Sequence, residues 1–267
     1  MAKGSYQTIV PNIVAGLVGR FVAGNPNNDG TQPSNGSNLA TWADVSGGKI
    51  TITQDTVANQ PVFNTNVSGG QPGVTFSSDA GGANGDSLKT TVAASLSRLN
   101  LDNATTGFTI YVCARIAALT PPSGGTGTML FLQGSSVSTN AVYQVVQAAA
   151  GDLISSVTDS TAASYSVTSG SVAAGVPFIN TFWWDKSAAT IYSQLNSNGI
   201  VTGDGAGSIS TLNTTPTLFA IGQQKNSQPT RQFDGTIFEI LIYNTLHTTQ
   251  QRLNITRYLS NQFGVSL

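Results

Sequence analysis

The stretch Phe233–Gly264, FDGTIFEILIYNTLHTTQQRLNITRYLSNQFG, contains a strand and a helix around which the rest of the chain can be placed. Its first half includes Ile237–Tyr243, a dense run of β-branched and aromatic residues without a Gly or Pro. Such a run is typical of a β-strand. Because apolar residues occupy successive positions, both faces of this strand are expected to be covered by other elements.

The second half of the stretch changes to a helical pattern. Thr248 and Gln251 stand three residues apart, as the two partners of a capping box do. Apolar residues then recur at one-turn spacings, and Gly264 stands where a helix commonly ends in a left-handed residue. These apolar residues are Ile255, Tyr258, Leu259 and Phe263. The chain is therefore predicted to close with a core strand, a short turn and one amphipathic helix.

Short strands separated by turns account for most of the preceding chain. Ile50 and Ile52 alternate with Thr51 and Thr53, which predicts a half-buried strand. Residues 108–119 predict a strong central strand, and apolar segments follow it at the spacing of successive antiparallel strands. Those segments are 128–132, 141–147, 153–157, 164–167, 178–185, 189–195 and 218–221.

The predicted fold class is all-β, a two-sheet antiparallel jelly-roll sandwich with one C-terminal α-helix. A short helix or turn is expected within residues 92–101, and almost no other helix before Thr248. Residues 1–12 are predicted to form an N-terminal arm and residues 13–267 a single domain, since no linker divides the chain.

Three segments carry a family resemblance. The closing block has the pattern F-x-G-x-I-x-E-I-x-I-Y, followed by R-x-x-I-x-x-Y-L-x-x-x-F-G from Arg252 to Gly264. Earlier segments are WADVSG from Trp42 and QPGVTF from Gln71. In this order they resemble the concanavalin A-like jelly rolls, particularly the laminin-G-like branch found in bacterial and bacteriophage proteins. The resemblance covers roughly residues 13–263 and implies a scaffold that hosts many functions.

The composition argues against several partners. Charged residues make up 9% of the chain and the net charge is −1, so the clustered Lys and Arg that attract nucleic acid or anionic membranes are not expected. No apolar run approaches transmembrane length, and the residues after Lys3 do not form a signal peptide, so Sec-type export is not expected. Cys113 lies alone in an apolar segment and predicts a buried free thiol.

Catalytic carboxylates are not evident. Glycosidases use two carboxylates a few ångströms apart, and the glucanases that the fold resembles carry an E-x-D-x-E type motif on one strand. Glu239 is the one glutamate of the chain and has no acidic neighbour two residues away. It is interpreted as a structural hydrogen-bond or ion-pair partner. Aspartates brought together from distant loops remain open as an alternative.

Metal and cofactor sites are not predicted either. A zinc site needs three or four clustered ligands, whereas this chain has one histidine and one cysteine. His247 is interpreted as a solvent-facing turn residue. Calcium is often bound by laminin-G-like domains through loop carboxylates, but the loop aspartates here are interpreted as turn caps. They are Asp44, Asp79, Asp86, Asp204 and Asp234.

Trp183 and Trp184 are the candidate binding residues on the predicted strand 178–185. Adjacent residues of a strand point to opposite faces, so one ring is expected in the core and the other outward or on the concave side of the sheet. An outward Trp could stack on a sugar ring or anchor a protein contact. The arm residues Tyr6, Ile9 and Val10 are candidates for contact with a neighbouring subunit.

Three functions are therefore considered, of which the third is a hydrolase that uses aspartates from distant loops. The main hypothesis is a non-enzymatic bacteriophage virion protein, a capsid decoration or a head or tail fibre component that contacts capsid or tail proteins. It is based on the family resemblance and on an uncharged surface suited to dense packing of identical copies. A homo-oligomer, for which a closed trimer is attractive, would assemble in the host cytoplasm. The alternative is a lectin-like module that binds surface glycans.

Overall fold

The computed structural model describes residues 11, 14–78, 85–119, 127–133, 143–148, 151–212, 218–222 and 232–267. The predicted arm contacts Tyr6, Ile9 and Val10 lie outside the described residues. Over the part that is described, no helix has the length and apolar character needed to cross a membrane.

The described residues form short strands with few helices. The strands are β1 (Leu17–Val22), β2 (Ser37–Asn38), β3 (Thr41–Ala43), β4 (Thr51–Thr53), β5 (Val62–Ser68), β6 (Gln71–Phe76), β7 (Leu88–Thr90), β8 (Gly107–Ile116), β9 (Gly127–Gln133), β10 (Tyr143–Ala148), β11 (Asp152–Thr158), β12 (Ser164–Ser171), β13 (Pro177–Asp185), β14 (Thr190–Leu195), β15 (Val201–Thr202), β16 (Phe219–Ile221) and β17 (Gly235–Tyr243). The helices are α1 (Ala93–Arg98) and α2 (Thr249–Phe263), with 3-10 turns at Val57–Asn59 and Leu101–Asn103.

Within the described residues, antiparallel pairing joins these strands into two sheets. The first sheet has nine strands in the order β15-β14-β13-β8-β17-β6-β5-β2, with β1 paired to β17. The second has eight strands in the order β12-β11-β10-β9-β16-β7-β4-β3. The closing strand β17 pairs with β8, β6 and β1, so the beginning, the middle and the end of the chain meet at the centre of the first sheet.

Two apolar clusters define three layers. The larger cluster fills the space between the sheets and includes Trp42, Phe108, Phe182, Trp184 and Phe219. The smaller cluster lies between the first sheet and α2, and includes Tyr111, Cys113, Leu241, Ile255, Leu259 and Phe263. Strand β17 contributes to both clusters and is buried along its whole length, as its uninterrupted apolar run predicts. The buried free thiol of Cys113 is confirmed.

The capping box and the left-handed stop predicted for the closing helix are confirmed. The Gln251 amide donates to Thr248 Oγ1 at 3.2 Å, and the Thr248 amide donates to Gln251 Oε1 at 2.8 Å. Gly264 ends α2 with a φ of 67°. Reciprocal caps satisfy backbone donors that a helix N-terminus otherwise leaves open.

Replacing Thr248 by alanine is expected to lower the free energy of unfolding by about 1 kcal/mol. Thr248 is exposed, so the loss would report the cap and not core packing. Urea unfolding measures it, and Thr248→Ser is the matched control because it keeps the hydroxyl. Equal losses in both variants would contradict a role for the hydroxyl.

Candidate functional site

Both predicted binding tryptophans are buried. Trp184 is 0% exposed in the core between the sheets, where its Nε1 donates to the carbonyl of Ile209 at 3.0 Å. Trp183 points to the opposite side of the first sheet, as strand alternation predicts, but it is only 3% exposed. Its ring stacks on Tyr192 at 5.5 Å, and the Arg252 guanidinium lies 4.2 Å from its centroid. The expectation of an outward-facing ring is therefore wrong, because α2 covers this side of the sheet. The binding role of the two residues stays a prediction.

His247 is not the solvent-facing turn residue that the sequence predicts. It is 1% exposed, and its Nδ1 lies 2.8 Å from the hydroxyl of Tyr111. Its Nε2 is buried and has no hydrogen-bond partner among the described residues. Burial, and secondly the charge of Arg252, lower the pKa of His247 to about 4. The sequence-based interpretation fails because the turn before α2 folds inward, where the His247 amide donates to Thr109 Oγ1.

Glu239 has the structural role that its isolation in the sequence predicts. Its Oε1 accepts from Arg20 Nε at 2.7 Å, and its Oε2 accepts from the hydroxyl of Tyr258 at 3.1 Å. Arg20 Nη2 donates to the same hydroxyl at 2.9 Å. Burial raises the pKa of Glu239, while Arg20 acts in the opposite direction. The carboxylate thus links β1, β17 and α2 and is closed to solvent.

Turn capping by a loop aspartate is confirmed at Asp44, whereas Asp86 and Asp204 accept from residues that are distant in the sequence. Asp79 lies outside the described residues. Asp44 accepts from the amides of Ser46 at 2.7 Å and Gly48 at 3.0 Å. The WADVSG segment is therefore a turn that is closed by the carboxylate of its own aspartate. Asp86 Oδ2 accepts from the Ser77 amide at 2.8 Å. Among the described residues, no group of three His, Cys, Asp or Glu is placed to hold a metal ion.

Asp86 and Asp234 lie together at one end of the sandwich. Burial is the main cause that raises the pKa of Asp86 to about 6; the Ser77 amide opposes it and the charge of Asp234 adds to it. Burial also raises the pKa of Asp234. Perturbed carboxyl pairs occur at functional sites and in structural networks alike. Asp86 is 6% exposed, which gives a substrate little access to it.

The outer surface of the second sheet, here called the open face, carries side chains on β3, β4, β7, β11 and β12 that are at least partly accessible to solvent. One row of paired residues crosses all eight strands, from Thr41 on β3 to Ser166 on β12, through the backbone of Leu132 and Gln144. The other members of the row, here called the hydroxyl row, are Thr53, Lys89, Ala220 and Ser156. Neighbouring strands lie about 4.8 Å apart, so the row spans about 34 Å.

Five described side chains of the hydroxyl row are polar and at least partly exposed. Thr53 is exposed, and Thr41, Lys89, Ser156 and Ser166 are half-buried, whereas Ala220 is buried. They alternate with core residues, for example Ser156 with the buried Leu153 and Val157 on β11. Hydroxyl, amine and carboxylate groups on a shallow surface can exchange hydrogen bonds with a polyhydroxylated ligand.

A carboxylate borders the β12 end of the hydroxyl row. Asp204, in the loop after β15, accepts from the Ser166 amide at 2.5 Å and from Ser166 Oγ at 3.1 Å. Its own amide donates to the Ser166 carbonyl at 2.9 Å. The residue is exposed. The alternation of Thr51 and Thr53 with Ile52 signals part of this surface in the sequence, but nothing in the sequence brings Asp204 to Ser166.

The chain matches no protein-family model and no curated protein sequence. Solved structures are similar to it at the level of the fold. One is botulinum neurotoxin type C, which depends on interaction with two ganglioside molecules to enter cells; the TM-score is 0.62 at 10% identity, over 91% of this chain and 51% of the toxin chain. The match therefore covers about half of that solved chain.

Two further solved structures are similar to this chain over different shares of their length. The binding domain of Paraclostridial Mosquitocidal Protein 1 has a TM-score of 0.62 at 13% identity, over 94% of this chain and 56% of that chain. The Ruminococcus gnavus IT-sialidase CBM40 bound to α2,3 sialyllactose has a TM-score of 0.52 at 12% identity, over 69% of this chain and 95% of the module. At such identities the likeness concerns the fold alone. The predicted all-β sandwich with one C-terminal helix is confirmed, and its jelly-roll neighbours are consistent with a concanavalin A-like fold.

Proposed function

We propose that this protein is a non-enzymatic carbohydrate-binding module that binds glycans on the open face of the second sheet. The observation that carries the proposal is the hydroxyl row, which places exposed or half-buried polar side chains on five of the eight strands, at Thr41, Thr53, Lys89, Ser156 and Ser166. On the opposite side of the sandwich, α2 packs against β8 and β13 and covers the first sheet. The second sheet presents the side chains of the hydroxyl row on its outer side.

The chemistry of the row fits a sugar. The hydroxyls of Thr41, Thr53 and Ser156 can both donate and accept, which matches the hydroxyls of a sugar ring. The Ser166 hydroxyl donates to Asp204 and can accept from a sugar. Because Trp183 and Trp184 are buried, neither ring can stack on the sugar, and binding depends on hydrogen bonds. The dissociation constant for a short oligosaccharide is therefore expected to be about 1 mM. Several copies presenting the face together would strengthen it through avidity.

The comparisons support the choice of ligand class. The botulinum neurotoxin depends on gangliosides, and the sialidase module is bound to a sialylated sugar. Both share this fold at low sequence identity. They support glycans as the ligand class, but they do not indicate where on this chain a glycan would bind. The bacteriophage virion role and its capsid or tail partners remain predictions that no structural observation favours.

Replacing Ser156 by arginine is expected to reduce glycan binding at least tenfold. A long charged side chain at the middle of the β11–β12 surface would block the face, while the partly exposed position tolerates it in the fold. The measurement is a glycan array followed by titration calorimetry on the best oligosaccharide. Asn261→Arg is the matched control, since it adds the same side chain to the exposed side of α2.

Equal loss in both variants, or no loss in Ser156→Arg, would contradict binding at the open face. The same oligosaccharides are incubated with the protein and analysed for reducing ends. Turnover would revive the hydrolase hypothesis and would direct attention to Asp86 and Asp234.

A further inference from the structure

We infer that the open face takes neutral glycans and discriminates against sialylated ones, with Asp204 as the specificity-determining residue. The inference rests on the proposed function. It differs from what the fold neighbours bind, and it follows from how carboxylates are held along β12.

Asp204 is fixed in place by pairing with β12. Its amide and carboxylate bind the carbonyl, the amide and the hydroxyl of Ser166, so three hydrogen bonds join one residue to the edge strand. The following residue, Gly205, lies against the ring of Tyr165, where an added Cβ would stand 2.2 Å from ring carbons. Only glycine permits this approach. The loop therefore holds the exposed carboxylate beside the last member of the hydroxyl row.

The fixed carboxylate has unused acceptor capacity. A carboxylate offers about four lone-pair positions and donates nothing when ionised. Ser166 fills two of these positions, which leaves the others for sugar hydroxyls. A neutral sugar supplies such donors, and hydrogen bonds to a charged acceptor are the stronger kind. The carboxylate of a sialic acid placed there would add a like charge instead.

A second carboxylate extends the negative end of the face. Asp152 lies on β11 and accepts from Ser171 Oγ at 2.7 Å. Ser171 is five residues along β12 from Ser166, or roughly 17 Å. The two carboxylates thus lie toward the two ends of β12.

The positive charge on the row is too distant to compensate. Lys89 is on β7, five strands from β12 in the sheet order, which is about 24 Å at the usual strand spacing. Charges that far apart are largely screened at physiological ionic strength, where the Debye length is about 8 Å. Arg20 and Arg252 belong to the packing between the first sheet and α2. Within the described part of the row, no cation is therefore near enough to offset the charge of Asp204 for a sialylated ligand.

Matched pairs of lactose and 3′-sialyllactose, and of other neutral oligosaccharides with their sialylated forms, test the inference by calorimetry or NMR titration at low salt. We expect the neutral member to bind at least fivefold more tightly, the factor that one like charge a few ångströms away produces in water-like surroundings. Asp204→Asn keeps an oxygen for the Ser166 amide and is expected to reduce this ratio to within twofold. Asp185→Asn is the control, because Asp185 makes equivalent bonds to Ser187 in a turn of the first sheet.

Equal or tighter binding of the sialylated members would overturn the inference while leaving carbohydrate binding intact. An unchanged ratio in Asp204→Asn would also overturn it, since another group would then set the preference. If no neutral or sialylated oligosaccharide binds at 10 mM or below, a concentration well above the roughly millimolar constant expected, the proposed function itself fails and the inference fails with it.

Discussion

Arg20→Met is expected to destabilise the protein by about 3–5 kcal/mol, because it removes one partner of a buried ion pair and leaves the other charge uncompensated. Glu239 is 0% exposed and the Arg20 side chain is 12% exposed. Tyr258 alone would then have to satisfy a carboxylate at the junction of β1, β17 and α2. Urea unfolding at pH 7 measures the loss.

The pH dependence of this loss identifies its cause. Burial already raises the pKa of Glu239 and Arg20 opposes that rise, so removing Arg20 should raise the pKa further. When the pKa of a carboxyl is higher in the folded than in the unfolded state, the folded state takes up the proton at a higher pH. Stability then increases as the pH falls through the folded-state pKa. Arg20→Met should therefore recover part of its stability toward pH 5.

Two variants complete the test of the ion pair. Arg20→Met combined with Glu239→Gln removes the uncompensated charge and should be more stable than Arg20→Met alone. Arg257→Met, an exposed arginine of α2, should change stability by less than about 1 kcal/mol. A loss in Arg20→Met that is no larger than in Arg257→Met would contradict the network.

Protonation of His247 is expected to cost about 3 kcal/mol of stability between pH 7 and pH 4. Its pKa falls from 6.5 to about 4 on folding, and each pKa unit corresponds to about 1.4 kcal/mol. The unfolded state then binds the proton first, so the stabilisation is complete above pH 6.5 and is lost as the pH falls toward 4. Tyr111 of β8, Tyr243 of β17 and Arg252 of α2 face the ring, and none of them offers a negative charge at these pH values.

Asp86 acts in the opposite direction in the same range. Its pKa is raised from 3.8 to about 6, so the folded state gains stability when Asp86 is protonated between pH 6 and pH 4. The two effects partly cancel in the wild-type protein. The effect of each group is therefore measured as a difference in the free energy of unfolding between the wild type and a variant, at each pH from 4 to 8. His247→Gln isolates the histidine and Asp86→Asn isolates the aspartate, and urea unfolding gives the free energies. A stability difference between wild type and His247→Gln that does not vary with pH would contradict the buried neutral histidine.

Much of the fold could be predicted from the sequence because local signals agree with the packing there. The apolar run of β17, the capping box at Thr248 and the stop at Gly264 are each local patterns with one structural outcome. Glu239 could be interpreted for the same reason, since an acidic residue inside an apolar strand requires a partner. The partner itself, Arg20, is more than 200 residues away and carries no local mark.

The candidate site was harder to predict because it depends on strand register. Thr53, Ser156 and Ser166 become one row only after eight strands align, and a shift of one residue would turn each of them to the other face. Trp183 and His247 were misplaced for a related reason. Their burial is produced by α2, which packs over residues whose local sequence gives no sign of a cover.

The pairing of Asp204 with Ser166 has a further consequence for the behaviour of the protein in concentrated solution. Border strands with unsatisfied backbone groups can recruit strands from other molecules and start ordered aggregates. Here one loop residue occupies both the amide and the carbonyl of Ser166 in β12. Lateral growth from this border is thereby blocked near the start of β12, which favours a dispersed protein at high local density.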